Sequence, residues 1–203
     1  MFPEPVHDSD KVLISGPLLS GKRTLFHWLL RTWADEPVVA STRQGAERVR
    51  HDHERATGYN GDSVVVIDCV SATHEEEPTE TPRTKYAAGP GNLTDIGTTY
   101  TDVLKRRSGD LAVGISSVSP LVMYASLEEV YRFTRLLVQQ AVGEGYSVAA
   151  VVESETHDDR EHNTLKEPFE VLVETRIGED GNEFRARSRE GTTEWRLIAE
   201  TAK

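Results

Sequence analysis

The chain has 203 residues, 37% of them hydrophobic, which is enough for one sizeable core and short for two, so a single domain over residues 1–203 is expected. No apolar run approaches the ~18 residues that cross a bilayer, and "MFPEPVHDSD" lacks the basic start and apolar stretch of a signal peptide, so no membrane partner and a cytoplasmic location are expected. With 34 acidic against 23 basic residues and a formal charge of −11, nonspecific nucleic-acid binding is disfavoured, because the dominant attraction to phosphates comes from basic patches.

In chain order, apolar runs alternate with helical patterns. "VLIS" (12–15) reads as the first strand and residues 22–34 as the helix after it. "PVVAST" (37–42), a helix over 43–56 and "SVVVIDCV" (63–70) follow. The lone Cys69 in that last run reads as a small buried hydrophobe, and no disulfide can form within the chain. Residues 71–94 are polar, contain Pro and Gly, and lack periodicity, so they read as a long surface loop that should be poorly ordered. A helix near 95–107, the strand "LAVGISSV" (111–118), a helix over 126–142 opened by a Ser126–Glu129 capping box, and the strand "YSVAAVVES" (146–154) complete the alternation. Beyond "THDDREHNTLK", residues 170–203 hold "EVLVETRI", "EFRARSR" and "EWRLIAE", which read as antiparallel strands extending one edge, with "EDGN" as a turn. The fold class is therefore α/β: a three-layer sandwich around a mainly parallel sheet, with strand 12–15 central because both its faces are apolar.

The chemistry-bearing stretch is "GPLLSGKRT" (16–24), between the first strand and the first long helix. Gly16, Gly21 and Lys22 match G-x-x-x-x-G-K, in which glycines turn backbone N–H groups around phosphates and the lysine reaches the terminal ones. The candidate nucleotide-binding set is Gly16, Pro17, Ser20, Gly21, Lys22, Arg23 and Thr24. Arg23 stands where a Ser or Thr would hold magnesium, so it either replaces part of the metal's charge or makes a salt bridge in an empty site. Thr24 is one residue late, about 100° further around the helix.

This loop, with "LAVGISSVSPLVMYASLEEVYRF", "GPGNLTDIGT" and "HDDREHNTLK", resembles the KaiC-like branch of the RecA-type P-loop ATPases, in particular short haloarchaeal members of uncertain function. The acidic, lysine-poor composition is similar to that of proteins from salt-loving archaea, where concentrated salt screens self-repulsion. The resemblance implies a RecA-like sheet and ATP or ADP as ligand. It also implies an aspartate behind magnesium at the position of Ser116 and a water-polarising glutamate after the second strand, where this chain has Ser41-Thr42-Arg43-Gln44. Glu47 falls inside the following helix and reads as a surface residue. With these elements absent or displaced, no catalytic residue and no metal ligand is assigned, and magnesium is expected to matter little.

Three auxiliary positions remain. Asp68 ends an apolar strand and could touch a metal, or cap a turn or helix; Ser116 marks the missing acid; His157, after the fifth strand, could sense a phosphate, with Asp158 or Asp159 as helix caps. His51-Asp52-His53 lies in a charged helix and reads as solvent-facing, and no Cys/His spacing suggests zinc. The leading expectation is a nucleotide-binding protein with weak or no hydrolysis, serving protein partners in signalling, regulation or scaffolding. The alternatives are an ATP hydrolase with a shifted metal site and an interaction module that binds no nucleotide. Oligomeric state is open, a homo-oligomer included.

Overall fold

In a computed structural model that describes residues 2–73, 78–107 and 109–198, the apolar runs form the middle of one sheet. The strands are β1 (Lys11–Gly16), β2 (Val38–Ser41), β3 (Val65–Asp68), β4 (Thr84–Tyr86), β5 (Ala112–Ser116), β6 (Ser147–Glu153), β7 (Val171–Ile177), β8 (Asn182–Ser188), β9 (Gly191–Thr192) and β10 (Arg196–Leu197). Their order is β10-β8-β7-β1-β6-β5-β2-β3-β4, with β9 beside β8. From β7 to β4 every pairing is parallel, whereas β8 pairs antiparallel with β7, β9 and β10, so among the described strands β8 alone runs against the others. Residues in β1, β2, β3 and β6 are buried nearly throughout because helices cover both faces.

The helices are α1 (Glu4–His7), α2 (Lys22–Trp33), α3 (Ala46–Thr57), α4 (Leu93–Lys105), α5 (Leu127–Gly143) and α6 (Asp159–Lys166). One core layer sets Phe26, Leu29, Leu30 and Val49 of α2 and α3 against Ile14, Val39 and Val66. The other sets Ile96, Tyr100, Leu137 and Val138 of α4 and α5 against Leu13, Ile67 and Ile115. The expected Ser126–Glu129 capping box opens α5, and Cys69 is buried.

Three expectations need correction. The segment 71–94 is not one structureless loop. Thr84–Tyr86 adds a parallel edge strand to β3, and Thr84 and Ala87 are buried; residues 74–77 lie outside the described residues. The first C-terminal strand, β7, is antiparallel to β8 as expected but also runs parallel to β1, so this hairpin extends the sheet directly from its central strand. Finally, of His51-Asp52-His53 only His51 faces solvent. Asp52 and His53 are buried, because α3 has few apolar residues and packs on α2 through small and polar ones.

Candidate functional site

β1 delivers its backbone into a tight loop at the carboxyl edge of the sheet. A side chain at Gly16 would put Cβ 1.9 Å from Thr175 Oγ1, so only glycine lets β7 pass this close. Leu19 (φ 63°) and Gly21 (φ 82°) are both left-handed, and Gly21 is the N-cap of α2. The loop is tied on three sides. Ser20 Oγ meets Thr175 Oγ1 at 2.6 Å and donates to Pro17 O at 2.8 Å; Leu18 N donates to Glu155 Oε2 at 3.3 Å; Asn182 Nδ2 donates to Leu19 O at 2.9 Å. The side chains of Leu18 and Leu19 turn outward and are exposed.

Gly21 brings no side-chain cap, and the first turn of α2 carries no acidic residue, so the helix presents a bare positive end to the loop. Lys22, in that turn, is only 4% exposed, and its ammonium donates to Pro17 O at 2.7 Å. Burial pulls the Lys22 pKa below its ordinary value; Glu153 and Glu155 oppose the shift, while Arg23 and Arg43 reinforce it.

Glu153 is a residue of the candidate site that the sequence alone did not single out. It ends β6, opposite Gly16, and is buried. Its Oε1 pairs with Arg43 Nη1 at 3.1 Å, and its Oε2 accepts from Ser117 Oγ at 2.8 Å. The available signal was a charge closing an otherwise apolar strand at the sheet's carboxyl edge, where α/β folds place ligands. Arg43, just after β2, is the guanidinium closest in role to a loop partner. Arg23 instead points toward α3, 3.8 Å from Asp52, which Arg48 also contacts at 3.2 Å and to which Gln44 donates.

Thr24 sits in the same first turn of α2. Ser116 closes β5, with β6 between it and β1; Thr42 N donates to its carbonyl, and its peptide bond to Ser117 is cis. Asp68 is not brought to the loop. It lies two strands beyond Ser116, where its carboxylate accepts from Ala46 N at 2.8 Å and from Val70 N and Ser71 N at 2.9 Å, capping α3 and the next turn. His157 stands beside Ser119, Nε2 to Oγ 2.8 Å, in a groove of about 920 Å³ also lined by Arg43, Glu153, Met123 and Tyr124; Asp158 caps α6 in a capping box with Glu161. Among the described residues no three His, Cys, Asp or Glu side chains gather to hold a metal ion.

The family of unknown function DUF7504 matches residues 10–175, from the start of β1 into β7. The chain belongs to this family. No curated protein matches the sequence. Among solved structures, this DUF7504 chain is similar to a KaiC-like protein from Pyrococcus horikoshii at TM-score 0.61 and 12% identity, covering 96% of this chain and 83% of that one. It is also similar to an uncharacterised protein of the same organism, crystallised with an unknown peptide (TM-score 0.58, 13% identity, 90% and 84% covered). A third is the flagellar accessory protein FlaH of Methanocaldococcus jannaschii (TM-score 0.54, 12% identity, 89% and 78% covered). At such identities the likeness is one of fold, and it establishes the DUF7504 chain as RecA-like and KaiC-like in architecture. No helix among the described residues is long and apolar enough to cross a membrane.

Proposed function

We propose that this chain binds the phosphates of ATP or ADP on the Gly16–Lys22 loop and hydrolyses ATP little or not at all. The observation that carries this reading is a buried lysine at an uncapped helix N-terminus, whose ammonium meets a carbonyl of its own loop. That is a stored positive charge which an anion can take over. The residues fit a polyphosphate and fit magnesium poorly. Arg23 and Ser116 stand where a metal's hydroxyl and its acidic support would be expected, and Asp68 is spent on capping. When bound, the nucleotide would supply an anionic charge and a shape to read. The chain's own part is to orient it with loop N–H groups and Lys22, beside Arg43 and Glu153.

The fold likeness to KaiC-like and FlaH proteins supports a regulatory or scaffolding role with protein partners, and the acidic composition supports a cytoplasmic setting in a salt-loving archaeon. Exposed Leu18, Leu19, Met123 and Tyr124 at the same sheet edge offer such a partner apolar contact, and one fold neighbour was crystallised holding a peptide.

The test is calorimetric titration of ATP and ADP, with and without magnesium, in concentrated potassium chloride, alongside phosphate release. Lys22→Ala removes a charge-assisted contact and should weaken binding by about tenfold to a hundredfold. Magnesium should change affinity weakly, and turnover should sit at background. Equal affinity in the wild type and in a folded Lys22→Ala variant would show that the loop is not the site. Robust magnesium-dependent turnover lost in Lys22→Ala would overturn the inactive reading.

A further inference from the structure

A second cavity lies along the outer side of α2, away from the phosphate loop. It encloses about 660 Å³, within the ~300–1,000 Å³ usual for small-molecule sites. Its walls are Phe2 from the N-terminal segment, Leu25 and Trp28 of α2, Phe184 of β8 and Leu197 of β10. Leu25, Trp28 and Thr32 fall on successive turns, so the cavity follows the helix away from Lys22 toward the end of α3 at Thr57. Ile198 and Asn182 stand over Gly21, where a side chain would meet Ile198 Cδ1 at 2.7 Å, and no residue of 16–24 lines the cavity. The cavity is therefore separate from the phosphate loop.

Its charge is what identifies an occupant. The chain carries 34 acidic residues against 23 basic, yet among the described residues no Asp or Glu lines this cavity, whereas Arg196, Arg31 and His7 do. Arg31 is engaged, pairing with Asp35 at 2.5 Å and lying 3.9 Å over the Tyr59 ring. Arg196 is directly opposite Phe184 across the β8–β10 pair, on the same sheet face, and among the described residues it has no carboxylate partner. An apolar trough with one uncommitted guanidinium at its lip matches a ligand with a hydrophobic body and a single anionic end.

We propose that this cavity is a binding site for a hydrophobic carboxylate, an acyl chain or aromatic ring seated against Trp28 and Leu197 over the edge of Phe184, with its carboxylate on Arg196. The site uses nothing from the phosphate loop and stands independently of the nucleotide reading. The experiment is calorimetric titration of the full chain with decanoate, naphthoate, decanol and decylamine, each below its aggregation threshold and at one fixed salt concentration. Decanoate or naphthoate should bind with one-to-one stoichiometry, the better of the two distinguishing acyl from aromatic bodies. Decanol should bind more weakly, and decylamine should not bind. Arg196→Glu, at an exposed and unpaired position, should weaken the carboxylate by at least about tenfold, the loss of one charge-assisted contact, while leaving decanol unchanged. Leu197→Asp, also at an exposed position, should weaken every ligand, and Lys22→Ala should weaken none. No saturable carboxylate binding, decylamine binding as tightly as decanoate, or carboxylate affinity unmoved by Arg196→Glu would each overturn the proposal.

Discussion

Between α2 and α3 two buried imidazoles face each other. His27 Nδ1 and His53 Nδ1 are 3.3 Å apart, the rings nearly perpendicular at 85°, and His53 Nε2 has no hydrogen-bond partner among the described residues. Burial is the main cause that holds both neutral, helped at His27 by the neighbouring His53 and Arg23 and at His53 by Arg31. Their pKa values fall from 6.5 to about 3 for His27 and about 4 for His53. Above pH 6.5 neither the folded nor the unfolded chain charges these rings, so they impose no penalty. As pH falls below 6.5 the unfolded chain gains protons that the folded one refuses, and stability is lost until the folded values are reached. Between pH 7 and 5 this costs about 2 kcal/mol for each ring and about 4 kcal/mol for the pair, at about 1.4 kcal/mol per unit. That is a large share of the ~5–15 kcal/mol that holds a typical domain folded, and it corresponds to a fall in Tm of about 10 °C. Scanning calorimetry at pH 7, 6 and 5 on the wild type and on His27→Leu with His53→Leu measures it. The double variant should lose less than half as much over the same interval, the remainder coming largely from His162, which burial also keeps below its ordinary pKa. A wild-type midpoint unchanged from pH 7 to 5, or a double variant with the same slope, would refute the account.

Two further predictions concern the loop. Glu153→Gln removes the buried carboxylate nearest in effect to Lys22 and frees Arg43, so ATP affinity should rise by about tenfold, the factor that ~1.4 kcal/mol carries, and calorimetric titration would expose an unchanged or weakened affinity. Gly16→Ala drives a methyl into Thr175 and should cost about 1–3 kcal/mol in urea unfolding, where no measurable loss would mean that β1 and β7 can separate freely.

The parallel centre of the fold was legible because strands buried on both faces read as unbroken Val/Ile runs, and the alternation with helices implies their direction. The glycine-lysine loop was legible because its residues are consecutive. What escaped was nonlocal or disguised. β4 is three residues in a polar segment at a sheet edge, and nothing in "TKY" announces a strand. The pairing of β7 with β1 joins segments far apart in sequence, whereas a hairpin signal specifies only the β7–β8 turn. In α3 the inward positions 46, 49, 53 and 56 keep helical spacing, but only Ala, Val and His occupy them, so charge concealed the buried face. Glu153 and Arg43 belong to different strand ends, and their pairing exists only once β5 and β2 have been laid beside β6.

The position of β1 at the middle of the sheet has a consequence for how the chain reaches this structure. The neighbours of β1 are β6, where Lys11 pairs with Val148, and β7, where Val12 pairs with Val171, so the first strand to be made is among the last to find its partners. Closing so long a loop costs more entropy than forming the nearer β2–α3–β3 unit, and topologies rich in such distant contacts fold slowly. Until then "VLIS", apolar on both faces, has an unsatisfied backbone on each side and is the segment most exposed to wrong pairing with another chain. A ribosome that paused before residue 147 would hold β1 and the helices α1 to α5 with neither β6 nor β7 yet made to flank that strand.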